Sequence, residues 1–201
     1  MPYYVRVMST AADCVPFRNL LAALDATKRD AGLTLDGGTE DDWSRILLEH
    51  ADGTYIALIE RNPVQPGSLA DEELQEFSAE IEDCQPTSGR DWLRQFFPRV
   101  RCIYACQLLG GTDHKNGWQI FGRIKDAIWS FAPAINQADG EGFSNEDGYH
   151  ILWQFSETVT GTWWMAVLVD GKWHRFEMDL GNPIHRAAFL ARKIPLGVRK
   201  R

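Results

Sequence analysis

The stretch WSRILLEHADGTYIALIE, residues 43–60, indicates the fold class most directly. Two runs rich in β-forming residues, Trp43–Glu49 and Tyr55–Glu60, flank the dipeptide Asp52-Gly53. Asp-Gly is typical of a tight turn between antiparallel strands, because glycine adopts a positive φ without steric cost. The stretch therefore predicts a β-hairpin.

A second hairpin is predicted in the other half of the chain. Trp163–Val169 and Lys172–Met178 flank Asp170-Gly171, and Asp170 follows Asp52 by 118 residues. Each hairpin comes after a strand, a helix and a short strand, and each precedes an Asn-Pro pair and a further helix. This order favours two similar strand-helix-hairpin-helix subdomains, although Asp-Gly and Asn-Pro are common turn sequences in any α+β protein. We expect an α+β fold with a mostly antiparallel sheet and flanking helices.

Apolar periodicity predicts the remaining elements. One-face spacing indicates helices, and alternation or β-branched content indicates strands. The predicted helices are Val15–Arg29, Leu69–Ile81, Asp91–Phe97, Trp118–Trp129 and Pro183–Arg192. The predicted strands outside the hairpins are Tyr3–Met8, Leu33–Leu35, Val100–Leu109, Ala134–Gln137 and Tyr149–Phe155.

Composition divides the chain further. Residues 1–85 form an acidic subdomain, 86–98 a connecting segment with a short helix, 99–192 an aromatic-rich subdomain and 193–201 a solvated basic tail. Residues 1–100 carry 9 basic and 18 acidic side chains, within a net charge of −7 for the whole chain. Because a phosphate-binding face needs clustered Lys and Arg, we expect no nucleic-acid partner.

Composition also bounds the class of protein. The chain of 201 residues is 44% hydrophobic and 24% charged, as in ordinary globular proteins. The start MPYYVRV lacks the pattern of a signal peptide, and no apolar run approaches the length of a membrane span. The four cysteines lack zinc-type spacing. We therefore expect a cytoplasmic protein with buried, reduced thiols, no membrane contact, no metal and no cofactor.

The loop GGTDHKNG, residues 110–117, is the first candidate site. If Val100–Leu109 and Ala134–Gln137 are parallel neighbours, this loop and the loop that carries Asn136 and Gln137 leave the same sheet edge, where ligands bind in α/β units. Amides at the start of the next helix, with His114 and Lys115, could hold an anion. The alternative is that Asn116 caps the helix and the glycines close a turn.

The stretch PAINQADGEGFSNEDGYHILWQF, residues 133–155, is the second candidate. Its carboxylates could bind a hard cation or perform acid–base chemistry together with His114 and His150, but EF-hand and HExxH patterns are absent. The alternative is a solvated acidic loop. The residues concerned are Asp139, Glu141, Glu146 and Asp147.

Adjacent tryptophans supply the third candidate. Trp163 and Trp164 are consecutive in a predicted strand, so their side chains point to opposite faces. We expect one to be almost fully buried and the other to lie under a helix or on an exposed binding patch.

These features predict a non-enzymatic cytoplasmic binding or regulatory protein that uses acidic and aromatic groups to engage a basic protein partner. An inhibitor or immunity-type role fits such a chain by association. The alternative is a small hydrolase or ligand-binding enzyme that uses His114, Asp139, Glu141 and His150.

Overall fold

The computed structural model describes residues 3–24, 30–114 and 116–200. Within them lie five α-helices, a mostly antiparallel seven-stranded sheet and a three-stranded sheet. The predicted α+β class is therefore confirmed. The helices are α1 (Phe17–Ala23), α2 (Leu69–Glu80), α3 (Thr87–Phe96), α4 (Gly117–Trp129) and α5 (Pro183–Leu190). The strands are β1 (Tyr3–Ser9), β2 (Ala31–Leu35), β3 (Arg45–His50), β4 (Tyr55–Pro63), β5 (Cys102–Leu108), β6 (Ala134–Ala138), β7 (Gly142–Phe143), β8 (Thr162–Val169), β9 (Lys172–Asp179) and β10 (Arg199–Lys200).

Both predicted hairpins are confirmed. β3 pairs with β4 and β8 pairs with β9, each antiparallel. At the second turn Asp170 has a φ of 50° and Gly171 a φ of 73°, so both central residues are left-handed, as the tight turn requires. The helix predicted over Val15–Arg29 begins at Phe17, and residues 25–29 lie outside the described part of the chain.

The strand predicted over Tyr149–Phe155 is wrong. In this segment only His150 forms β-bridges. Ile151 and Leu152 are both fully buried, and two consecutive buried side chains do not fit the two-residue period of a strand with one buried face. Next along the chain, the Trp153 amide donates to the Gln85 carbonyl at 2.8 Å, and Gln85 belongs to no strand.

The first compact unit comprises Met1–Asp71 and Val100–Ala134. Its strands pair in the order β2-β3-β4-β5-β1, each antiparallel to the next. Because β4 and β1 occupy the two edges of β5, the expected parallel pairing of Val100–Leu109 with Ala134–Gln137 does not occur. This pairing also brings residues 100–134 into the first unit, so the compact units differ from the predicted segments 1–85, 86–98 and 99–192.

Periodic apolar side chains build the core of the first unit. In α4 the buried residues recur at helical spacing, which is why this sequence packs as a helix against the sheet. Trp43 is fully buried, and its indole N–H donates to the Val15 carbonyl at 2.7 Å, so the polar atom of this large side chain is satisfied. The buried α4 side chains are Ile120, Phe121, Ile124 and Ile128.

The second compact unit comprises Glu72–Arg99 and Ile135–Arg201. Its three-stranded sheet has the order β10-β9-β8, and one face packs in a small hydrophobic core with Phe189 of α5. Residues 199–200, predicted as part of a solvated tail, are exposed but pair with β9. No helix in the described part of the chain is long and apolar enough to cross a membrane. The buried core residues are Phe155, Met165, Val167, Phe176, Met178, Leu180 and Phe189.

Candidate functional site

One buried side chain holds the turn from Asn145 to Tyr149 in the second unit. Asn145 is fully buried, and its side-chain oxygen accepts hydrogen bonds from the amides of Asp147 at 3.1 Å and Tyr149 at 3.0 Å. The Asn145 amide donates to the Tyr149 carbonyl at 2.9 Å. Asparagine side chains that bond to nearby amides stabilise turns in this way. The turn therefore presents Tyr149 from a fixed backbone.

His150 joins this turn to β8. Its amide donates to the Trp164 carbonyl, and its carbonyl accepts from the Ala166 amide, both at 2.9 Å. The imidazole packs against Phe155 at 5.3 Å and Trp163 at 5.0 Å between ring centroids. The ring predicted as a catalytic or binding group therefore lies among aromatic side chains on the core side of β8.

Trp163 and Trp164 lie on opposite faces of β8, as predicted. Trp163 packs against the small core, with its ring 5.0 Å from that of Phe155. It is only partly buried, so the expectation of an almost fully buried tryptophan is wrong. Trp164 is 54% exposed on the other face of the sheet.

The exposed tryptophan belongs to a ladder of contacts. The Trp164 ring stacks on Tyr149 at 6.0 Å with an interplanar angle of 26°. The Arg175 guanidinium lies over the Tyr149 ring, 5.7 Å from its centroid. Nη2 of Arg175 also donates to Oδ2 of Asp147 at 2.6 Å. We call Trp164, Tyr149, Arg175 and Asp147 the Trp164 ladder.

Two more aromatic rings extend this face of the sheet. Leu168 pairs with Trp173 and Ala166 pairs with Arg175 across β8 and β9, so Trp173 and Arg175 share a face. Trp173 meets Trp92 of α3 edge to face at 5.5 Å. The face is thus covered by α3 at its Trp173 end and exposed at its Trp164 end.

The carboxylates of the predicted acidic loop are not simply solvated. Asp147 pairs with Arg175, and Glu146 lies 3.7 Å from Arg99. Asp139 and Glu141 are partly buried within the short turn between β6 and β7. Among the described residues, no group of three or more His, Cys, Asp or Glu side chains is placed to hold a metal ion.

Asn136 and Gln137 serve the sheet of the second unit. The Asn136 amide donates to the Ser144 hydroxyl at 3.0 Å, and its carbonyl accepts from the Ser144 amide at 2.9 Å. Gln137 is buried and pairs with Phe143. The Ser144 hydroxyl donates in turn to the Asn145 carbonyl, so these polar groups build the strand pair that precedes the turn.

The loop GGTDHKNG lies in the first unit, and close packing explains two of its three glycines, Gly111 and Gly117. A Cβ on Gly111 would lie 2.5 Å from the Tyr55 carbonyl oxygen, and one on Gly117 would lie 2.3 Å from the Gly111 carbonyl oxygen. Asn116 begins α4 in a left-handed conformation without a side-chain capping bond, so the capping alternative is wrong in that detail. The exposed His114 ring stacks on His50 at 5.6 Å. Lys115 lies outside the described residues.

The residues named for a hydrolase are not assembled within either unit. His114 belongs to the first unit, whereas Asp139, Glu141 and His150 belong to the second. A general base must lie within hydrogen-bond reach of the group that it serves. Within the second unit, the His150 imidazole contacts the rings of Phe155 and Trp163.

Ion pairs shift carboxyl pKa values elsewhere in the second unit. Arg186 donates to Glu157 at 2.5 Å and lowers the pKa of that carboxyl, and its guanidinium also lies 4.6 Å from the Trp153 ring centroid. A hydrogen bond from Arg94 lowers the pKa of Glu82 in the same way. Arg186 of α5 and Arg94 of α3 thus each pair with a carboxylate outside its own helix but in the same unit.

Arg175 and Trp92 were not predicted from the sequence as site residues. Arg175 follows Trp173 by two residues in a predicted strand, so alternation places both on one face. That signal was available. No local sequence pattern points to Trp92, because its contact with Trp173 joins segments 81 residues apart.

Comparison with known proteins adds one finding. No protein-family model matches the chain, and no curated protein or solved structure is significantly similar to it.

Proposed function

We propose that this protein is a non-enzymatic, cytoplasmic binding protein that engages a basic protein partner through the Trp164 ladder. The observation that carries the proposal is the 54% exposure of Trp164 in a side chain that is already stacked on Tyr149. Trp, Tyr and Arg dominate the binding energy of protein interfaces, and the ladder contains one of each.

The four side chains of the ladder are linked by contacts that need no partner. Asn145 fixes the backbone of Tyr149, Tyr149 supports Trp164, and Arg175 is held by Asp147. Ordering a flexible side chain in an interface costs about 0.5–1.5 kcal/mol, and rings that are already held avoid much of that cost. An exposed but fixed indole therefore suits an interface anchor better than a mobile one.

Charge supports a basic partner. The chain has a net charge of −7, and α2, which belongs to the same unit as the ladder from Glu72 onward, contains no Lys or Arg. Glu72, Glu76 and Glu80 follow each other at four-residue spacing along α2, and all three are exposed. Like charges at this spacing repel, and Glu80 also lies at the negative end of the helix dipole. A cationic partner relieves both effects and associates faster at low salt.

The test is affinity capture from cytosol of the native source, with the full chain as bait. We compare the wild type, Trp164→Ala and a matched control, Trp118→Ala. Trp118 is 53% exposed on α4 of the first unit and contacts Tyr3 and Phe121. Trp118→Ala therefore removes an equally exposed indole from a different surface. Bound proteins are quantified by mass spectrometry at low and high salt.

The proposal expects a basic protein that the wild type and Trp118→Ala capture equally. Trp164→Ala should weaken its binding by roughly 30-fold, which corresponds to about 2 kcal/mol for an interface tryptophan. Binding should also weaken as salt rises. If Trp164→Ala captures the same proteins as the control variant, the ladder is not the binding site.

A further inference from the structure

We propose that the basic group of the partner is an arginine side chain, whose guanidinium lies over the Trp164 indole and pairs with the Asp179 carboxylate. This inference rests on the proposed function, because it takes Trp164 as the surface that the partner contacts. It goes further in two respects: it assigns the chemistry of one contact, and it adds Asp179 as a binding residue.

The pairing of β8 with β9 places two carboxylates beside Trp164. Trp164 lies directly opposite Glu177, and Thr162 lies directly opposite Asp179, so Asp179 is a diagonal neighbour of Trp164 on the same face. Direct neighbours in an antiparallel pair have Cβ atoms about 4.5–5.5 Å apart, and diagonal neighbours are about 7–8 Å apart. A long cationic side chain that lies over the indole therefore has both carboxylates within reach.

Of these two carboxylates, Asp179 is the one whose charge the chain leaves unmatched. Glu177 also lies directly opposite Arg199 of β10, so a cation of the chain is already beside it. Asp179 is exposed, and in the part of the chain that the structure describes it forms no ion pair. Its Oδ1 accepts a hydrogen bond from the Gly181 amide at 2.9 Å, which orients the carboxylate through one of its two oxygens.

The Trp164 ladder contains an internal example of the proposed contact. The Arg175 guanidinium lies 5.7 Å from the centroid of the Tyr149 ring and donates to Asp147 at 2.6 Å. One guanidinium thus contacts an aromatic ring and a carboxylate at the same time. The π face of the ring attracts the cation, and the N–H groups at the edge of the guanidinium remain available to the carboxylate.

A second internal example lies elsewhere in the same unit. The Arg186 guanidinium lies 4.6 Å from the centroid of the Trp153 ring and donates to Glu157 at 2.5 Å. Trp164 and Asp179 present the same two groups, an indole and a carboxylate, at the surface. A guanidinium from a partner would repeat there the arrangement that the unit already uses twice within itself.

The shape and hydration of the cation favour arginine over lysine. In the first unit, Lys125 lies 5.0 Å from the Trp129 ring centroid and 3.3 Å from Asp126, so an ammonium also makes contacts of this kind. A guanidinium is planar, stacks on a ring and is less strongly hydrated than an ammonium. It therefore loses less solvation when it lies on an exposed indole.

The first test titrates the full chain with Nα-acetylarginine amide and follows the Trp164 indole N–H by NMR, with Trp164→Phe to assign the resonance. Nα-acetyllysine amide tests an ammonium, and Nα-acetylcitrulline amide tests a planar side chain without charge. Asp179→Asn removes the charge but keeps the oxygen that accepts from Gly181. Asp170→Asn is the matched control, because it removes an exposed carboxylate from the turn of the same hairpin.

The arginine amide should shift the Trp164 resonance saturably and bind more tightly than the lysine amide, and the citrulline amide should cause no saturable shift. Asp179→Asn should weaken binding of the arginine amide by about threefold, as expected for an exposed ion pair, and Asp170→Asn should leave it unchanged. Equal binding of the arginine and lysine amides overturns the proposal. An effect of Asp179→Asn no larger than that of Asp170→Asn overturns it as well.

The same two aspartate variants, added to the capture experiment, separate this inference from the proposed function. If Trp164→Ala loses a basic protein that Asp179→Asn binds about threefold more weakly than Asp170→Asn does, the arginine contact is supported. If Trp164→Ala loses that protein and the two aspartate variants behave alike, the arginine contact is overturned and the proposed function stands. If no captured protein depends on Trp164, the proposed function fails, and the titration alone decides whether Trp164 and Asp179 bind arginine.

Discussion

Tyr149 and Trp164 stack with their ring centroids 6.0 Å apart and their planes inclined by 26°. The contact joins a turn organised by Asn145 to a strand of the three-stranded sheet. It holds an indole that remains 54% exposed in a defined orientation. Trp163, the residue before Trp164, points to the small core. The two adjacent tryptophans therefore have different roles, one in core packing and one at the surface.

Replacing each tryptophan separately should distinguish these two roles. Trp163→Ala removes contacts with Phe155 and His150 and should lower the free energy of unfolding by roughly 3 kcal/mol, as aromatic-to-alanine changes against a core do. Trp164→Ala loses mainly the stack on Tyr149, worth about 1 kcal/mol. Urea denaturation measures both. Equal costs would contradict the assignment of the two side chains to different faces.

The hairpin turn between β8 and β9 should be sensitive to a side chain at Gly171. This residue has a φ of 73°, which a β-branched residue adopts only with strain. Gly171→Val should therefore cost roughly 1–3 kcal/mol of stability. As a control, Gly122→Ala lies inside α4, where an added Cβ meets no atom within 4 Å, and should raise stability by about 0.5–1 kcal/mol. A melting temperature unchanged by Gly171→Val would refute the strained-turn assignment.

Local signals predicted much of the fold. Asp52-Gly53 and Asp170-Gly171 identified both hairpins, because the turn type depends on the two residues themselves. The stripe Leu74, Phe77 and Ile81 identified α2, and all three side chains are buried. Tyr149–Phe155 shows the limit: its alternation resembles a strand, but the hydrogen bonds that decide strand pairing come from distant residues such as Gln85.

The candidate site was less accessible from sequence. The Trp163-Trp164 pair predicted two indoles on opposite faces of a strand and left open whether the second lies under a helix or on an exposed patch. The Asp147–Arg175 pair joins segments 28 residues apart and has no local signature. The loop GGTDHKNG suggested an anion site because its composition resembles one. Gly111 is explained instead by its close approach to the Tyr55 backbone, and Gly117 by its approach to Gly111, contacts that only the folded chain shows.

Stability should fall at acid pH partly through Glu157. The hydrogen bond from Arg186 lowers the pKa of this carboxyl in the folded chain. A lowered folded pKa contributes stability that is present above the unfolded pKa, about 4.3 for Glu, and lost as pH falls through the folded value. Glu157→Gln should therefore flatten the dependence of unfolding free energy on pH below about 5 in urea titrations.

Glu82→Gln should have a similar effect, since Arg94 lowers the pKa of Glu82. The two pairs share no residue, so the double variant should flatten the acid slope by the sum of the single effects. An acid slope identical in the wild type and both single variants would contradict the two ion pairs.

Thiol labelling should separate the four cysteines into two classes. Cys14 and Cys84 are partly exposed, whereas Cys102 and Cys106 are buried in β5. Burial raises the pKa of the Cys102 thiol to about 11 and that of the Cys106 thiol to about 12, so the reactive thiolate is rare and inaccessible. An aromatic disulfide reagent at pH 8 should label Cys14 and Cys84 first. In Cys14→Ser/Cys84→Ser, the fast phase should disappear, and its persistence would contradict the burial of β5.

The buried thiols of Cys102 and Cys106 should make the fold less stable at alkaline pH. In the unfolded chain a cysteine ionises near pH 8.5, but burial keeps Cys102 protonated up to a pKa of about 11 in the folded chain. A raised folded pKa gives stability that is complete below the unfolded pKa and is lost as pH rises towards the folded one. The unfolding free energy should therefore decline from about pH 8.5 to 11. Cys102→Ala should decline less steeply over this range, whatever its stability at pH 7, because one ionising group is absent. A slope equal to that of the wild type would show that Cys102 ionises alike in the folded and unfolded chains.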